Sequence, residues 1–185
     1  MIRSLSKFIV RTRFKLSSAK RVEKQTRSLL KEYLQLAQGL DETSGSEPVT
    51  VPPMHGVDAD MRDWSFFMIL RHNTIVNRGI SAMVRRLALN EPAPEKKFDM
   101  KRDVMPESES GIEQIAIFKS SVLAHLEGIA SLGELGGTEK TIHPIFGPFD
   151  AHMWNCMFAL HLEVHLKQAA YVRQHAAAHS ALLGD

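Results

Sequence analysis

The sequence predicts an all-α fold built on four long helices, and three observations predict it. Four stretches carry apolar residues at the three- and four-residue spacing of a helix face. Pro and Gly collect between those stretches, with Gly79 the main exception. No convincing run of alternating apolar and polar residues marks a strand. A chain of 185 residues is enough for one domain of ordinary size.

The first helix spans about Ser18 to Leu40, with Val22, Leu29, Leu30, Tyr33, Leu34 and Leu36 on its apolar side. A loop from Asp41 to Met61 follows, punctuated by Gly45, Pro48, Pro52, Pro53 and Gly56. The second helix runs from about Asp63, read as its N-cap, to Leu89. Phe66, Phe67, Ile69, Leu70, Ile75, Val76, Ile80, Met83, Val84 and Leu87 give it a broad apolar face. Gly79 inside it costs roughly 1 kcal/mol relative to Ala, so a tertiary reason for it is expected. A linker from Asn90 to Ser110 holds Pro92, Pro94 and Pro106. The third helix covers about Gly111 to Leu132, with Ile112, Ile115, Ile117, Phe118, Val122, Leu126 and Ile129 on its buried side, and stops at the turn Gly133–Gly137. The fourth starts at Asp150, a good N-cap, and continues to about His179. Connections of about twenty residues are too long for a minimal up-and-down arrangement; they cross over an end or line a pocket.

The chain thus divides into a basic arm at 1–17, a helical domain at 18–179 and a tail at 180–185. Hydrophobic residues make up 44% and charged residues 24%, a globular balance. No run approaches the ~18–20 uninterrupted apolar residues of a membrane span. The net charge of +2 hides an asymmetry. Residues 1–22 contain seven of the 23 basic residues and no acid, so the remainder carries 16 against 21 acidic ones, a net of −5. That acidic body offers no nucleic-acid footprint. The arm is read as a frayed, solvated lead-in; an organelle presequence and a contact with an anionic membrane surface stay open. One cysteine, Cys156, excludes an intrachain disulfide and fits a cytoplasmic location.

The candidate chemistry lies in the nine histidines. His161 and His165 stand at i and i+4, one helical turn apart on one face, where two imidazoles can reach one ion at ~2.0–2.1 Å. Their neighbours Leu160, Leu162, Val164 and Leu166 place part of that face toward the core. His72, in the apolar second helix, is the candidate third ligand. Three histidines leave a position for water or substrate, the mark of a catalytic metal. His175 and His179 form a second such pair in an Ala-rich, terminal setting and are read as surface residues, as His55, His125 and His152 are read as surface or capping residues. Cys156, about 140° around the helix from His161, is read as a small buried hydrophobe. Asn73 and Arg78 are candidates for a pocket lining, Glu163 is read as a solvated charge, and His143 is read as a loop staple, with a reach into the pocket left open. Other chemistries lack their motifs: there is no HExxH, no Glu-x-x-His, no CxxC, no phosphate-binding Gly-rich loop and no GxSxG.

Two stretches resemble a known family. Trp64-Ser65, Ile69-Leu70 and His72 are similar to the helix-two signature of the DinB-like metalloenzyme superfamily. His143-Pro144, Phe146-Gly147, Trp154, His161, His165 and Gln168 resemble its DUF1569-type branch, with Val164 where that branch often has a further His. The resemblance runs from about Trp64 to Gln168. It implies a four-helix bundle with long crossover loops and a divalent ion, nickel, zinc or iron, held by His72, His161 and His165. It implies a metal-dependent transferase or isomerase acting on a small molecule with a low-molecular-weight thiol. The competing expectation is a non-catalytic, metal-stabilised helical bundle acting through a homodimer or a protein partner.

Overall fold

A computed structural model describes residues 2–92 and 103–182, with side chains described for 7–92 and 103–176. Pro94, the end of the tail at 183–185 and the side chain of His179 lie outside the described residues. The chain is mostly helical: α1 (Ile2–Leu16), α2 (Ala19–Leu36), the short α3 (Glu42–Ser46), α4 (Phe66–Ala88), α5 (Gln114–Leu132) and α6 (Ala151–Leu182). The four predicted long helices are α2, α4, α5 and α6. Helix α4 packs against both α5 and α6, and α2 lies against α6 and touches α5. Tyr33, Phe67, Ile69, Phe118, Phe158 and Leu162 are fully buried in the core they share. Helix α5 is long and apolar enough by length and composition to cross a membrane. Its Phe118, Ser121, Val122, His125 and Leu126 are nevertheless buried within this core, whereas Ile112, expected on the buried side, precedes the helix and is exposed.

The caps differ in one place from expectation. Ser65, not Asp63, caps α4, its hydroxyl accepting from the Met68 amide at 3.2 Å. Asp63 belongs instead to a strand. Strand β1 (Val49–Thr50) pairs antiparallel with β2 (Asp63–Trp64), and β3 (Thr141–His143) with β4 (Gly147–Phe149). Strands of two or three residues are too short for alternation to show in a sequence. The first pair fastens the long loop so that Trp64 enters the interior. In the second, His143 Nδ1 accepts from the amides of Ile145 and Phe146 at 3.1 and 3.3 Å, which staples the turn. Gly147 closes it at φ +81°. Asp150 caps α6 as expected, accepting from the Met153 amide at 2.8 Å.

The basic arm is a helix, which corrects the solvated lead-in. Phe14 is buried edge-on against Phe149, with ring centroids 5.7 Å apart. One turn earlier, Arg11 donates to the carbonyls of Phe146 and Pro148 at 2.8 and 2.9 Å. Arg13 pairs with Glu163 at 3.3 Å, and Gln25 donates to the same carboxylate at 3.0 Å. Glu163 is therefore a tie between α1, α2 and α6. Charge dominated the reading of this segment and hid that Arg11 and Phe14 share a face.

A polar stripe runs through the core along α4 at Asn73, Asn77 and Ser81. Asn73 donates to the Tyr33 hydroxyl at 3.2 Å, which donates to the Leu162 carbonyl at 3.0 Å. Asn77 donates to Ser121 at 3.0 Å. Ser81 lies 2.9 Å from His125 Nδ1, whose Nε2 is 3.0 Å from Asn155. His125 is buried flat on Phe158, with centroids 3.6 Å apart. It is a core histidine and not the surface or capping residue expected.

Gly79 has no tertiary reason. It is exposed, and a Cβ there would meet nothing within 4 Å. Gly79→Ala is expected to raise stability by about 1 kcal/mol, read from the urea midpoint; a fall would contradict a free, solvent-facing helix position.

Burial holds His125 and His143 at about 4, against 6.5 for a free ring. Between those values the unfolded chain binds a proton that the folded chain refuses, so stability rises with pH and is lost as pH falls from about 6.5 to about 4. Each ring adds a slope of up to about 1.4 kcal/mol per pH unit. Urea titrations of chelator-treated protein across this window should show that slope, shallower by about one ring in His125→Gln. An unchanged slope in the variant would contradict a buried neutral His125.

Candidate metal centre

Packing of α4 on α6 brings the three predicted ligands together. His72 projects from α4, and His161 and His165 from successive turns of α6. One ring nitrogen from each lies within 4.8 Å of the others. The Nε2 atoms of His72 and His161 are 3.2 Å apart. Ring centroids are separated by 4.6 Å for His72–His165 and His161–His165 and by 5.1 Å for His72–His161. His72 and His165 are each 2% exposed, while His161 is half-buried.

The backs of the rings determine where their protons sit. His72 Nδ1 is 2.8 Å from the Val104 carbonyl, which can only accept. Nδ1 therefore carries the proton and Nε2 presents a lone pair. Gln168 donates through Nε2 to the Met61 carbonyl at 2.7 Å, which turns its Oε1 toward His165 Nδ1 at 2.8 Å. His165 therefore also donates from Nδ1 and presents a lone pair at Nε2. Such outer partners orient metal-binding imidazoles and raise their basicity.

His161 completes the argument. Its Nδ1 is buried without a partner. If Nε2 carries the proton, it donates to His72 and strands a bare Nδ1. If Nδ1 carries it, that N–H is stranded and two lone pairs oppose each other at 3.2 Å. Either state leaves a buried polar group unsatisfied, at about 1–3 kcal/mol. A shared cation turns the opposed lone pairs into ligands. With metal–nitrogen bonds of ~2.0–2.1 Å, two nitrogens 3.2 Å apart could both reach one ion. The donor set fits a divalent metal.

Electrostatics agree with the geometry. Burial, the largest cause, lowers all three rings: His72 to about 4, His165 to about 3 and His161 well below the usual range. The neighbouring imidazoles lower His161 and His165 further. All three rings are neutral at pH 7, the form that ligates. Trp64 walls the site, its ring centroid 4.9 Å from that of His72 and stacked 6.4 Å from that of His165. Gly56, at φ +86°, lies so close to Val164 that a Cβ would stand 2.9 Å from its Cγ1, which holds the loop before β2 against α6 beside His165.

The other candidates lie elsewhere. Asn73 is spent on Tyr33, and Arg78 is exposed. His55 is exposed, His152 meets the Phe14 carbonyl at 3.1 Å, and exposed His175 meets the Tyr171 carbonyl at 2.8 Å. Cys156 is buried near Phe14 and His152; burial pushes its thiol up to about 12. The sequence reading assigned no role to Gln168 and missed the carbonyls of Met61 and Val104. The i, i+3 spacing of His165 and Gln168 was a usable signal; backbone carbonyls in loops have none.

Compared with protein-family models, curated proteins and solved structures, the chain matches none. The resemblance to the DinB-like superfamily therefore rests on the residues quoted for it.

Gln168→Leu should keep the fold by circular dichroism and lower metal affinity about 10–100-fold in competition with a chromophoric chelator. Unchanged affinity would contradict the role given to Gln168.

Proposed function

We propose that the chain is a metal-dependent enzyme of the DinB-like kind: a four-helix bundle with crossover connections whose His72, His161 and His165 hold one nickel, zinc or iron ion for chemistry on a small molecule. The observation that carries this is the convergence of three neutral imidazoles, two of them locked from behind with their lone pairs turned to the same point. Three protein ligands leave a position for a substrate group.

Among the described residues, the ligand group consists of histidines alone. Such a set cancels none of the charge of a divalent ion and so favours an anionic fourth ligand. When bound, the ion supplies Lewis acidity that lowers the pKa of a coordinated thiol or water. Val104, Gln168 and Met61 keep the rings in place, and Trp64 excludes water from one side. The preferred class is a small-thiol-dependent S-transferase or isomerase. The support for a thiol is the resemblance together with the uncharged ligand set.

A second reading is a metal-stabilised bundle without catalysis, acting as a homodimer or through a protein partner. One observation favours it: two surface grooves lie along Leu30, Leu34 and Gln35 of α2 and between α2 and Leu166 and Ala170 of α6, away from the triad.

The test is elemental analysis of untagged protein, wild type and His161→Ala, followed by thiol titration of the cobalt- or nickel-loaded protein. The expected result is near-stoichiometric metal, lost in the variant, and a thiolate-to-metal charge-transfer band on adding a small thiol. Stoichiometric metal that raises Tm without any response to thiols would favour the second reading. Absence of metal binding would overturn both.

A further inference from the structure

We infer that the outward side of α1, with the hairpin it is tied to, is a docking surface for an anionic lipid bilayer. The inference is independent of the metal centre. Helix α1 spends one side on the body, through Phe14 and Arg11. Its other side leaves large apolar residues in water: Phe8 is 68% exposed, Ile9 57% and Leu16 79%. Ile9 and Leu16 are seven residues apart, two helical turns on one stripe, and in the sequence the same spacing reaches back through Leu5 and Ile2. A helix already anchored by Phe14 has no need of a second apolar stripe for folding.

Exposed cations accompany the stripe. Lys15 lies on the side of Phe8, Lys7 lies farther round the helix, Lys20 and Arg21 begin α2, and residues 1–22 contain no acid. The hairpin β3–β4 is fastened to α1 by Arg11, which donates to two of its carbonyls and lies over the Phe149 ring at 5.9 Å. It adds Ile142 at 73% and Ile145 at 57% exposure. Apolar side chains that can enter the headgroup region, accompanied by lysines that meet anionic phosphates, are what an interfacial helix needs. A second copy of this chain fits less well. A two-fold pairing would set the same basic helix against itself.

The experiment is co-sedimentation of the full chain with vesicles of phosphatidylcholine alone and of phosphatidylcholine mixed with phosphatidylglycerol. Three proteins are compared: wild type, Phe8→Ser/Ile9→Ser/Leu16→Ser, and Lys7→Glu/Lys15→Glu. All altered residues are exposed, and circular dichroism checks that each variant folds. Wild type should bind the mixed vesicles, roughly tenfold or more tighter than the neutral ones, and release them as salt rises. Each variant should lose roughly tenfold or more of that binding. Failure to bind mixed vesicles, or variants that bind as wild type does, would overturn the proposal. So would sedimentation of wild type as a dimer that only the apolar variant dissociates, which would give the surface to a second copy. Saturable binding of an acidic peptide with no vesicle binding would give it to a protein.

Discussion

Three neutral imidazoles share a small, water-poor volume between α4 and α6, and each has two nitrogens to satisfy. That requirement organises the surroundings. His72 and His165 each give their Nδ1 proton to a partner behind them, so both lone pairs must face inward. His161 keeps its Nδ1 buried without a partner, while its Nε2 faces that of His72 at 3.2 Å. The partners come from the connections between helices: Val104 from the segment before α5, Met61 from the loop before β2, and Trp64 from β2 itself. The long loops thus form the outer shell of the site, and the short β1–β2 pairing gains its purpose from what it delivers there.

The polar stripe on α4 serves the same geometry from the other direction. Apolar packing alone tolerates rotation and slippage of a helix, whereas hydrogen bonds from Asn73, Asn77 and Ser81 to Tyr33, Ser121 and His125 fix the helix about its axis. That orientation is what presents His72 to α6. It has a cost: the side-chain oxygens of Asn73 and Asn77 are buried without partners. Retaining two such groups in a core fits a helix whose rotation matters more than its maximum stability.

The four long helices and the candidate histidines were legible because their signals are local. A 3.6-residue period marks each helix, and His161 with His165 is a pair that one helix can align. The third histidine, His72, was singled out by its place in an apolar helix, and the family resemblance added to that. What was hidden depends on tertiary contact. Asp63 looked like a cap because a two-residue strand has no pattern of its own, and Ser65 took that place. His125 looked ordinary because its burial comes from Phe158 and Asn155 on α6, a different helix. The basic arm looked loose because its charge pattern hid the residues that dock it, Arg11, Arg13 and Phe14. Gly79 called for a tertiary explanation, and open space around it removed the need.

The most direct test of the three-histidine centre is X-ray absorption spectroscopy of the zinc- or nickel-loaded protein. The expected spectrum has a nitrogen/oxygen shell near ~2.0–2.1 Å with the multiple scattering of about three imidazoles, and no sulfur until a thiol is added. An oxygen-only shell without imidazole scattering, or the same spectrum from His72→Ala, would contradict it.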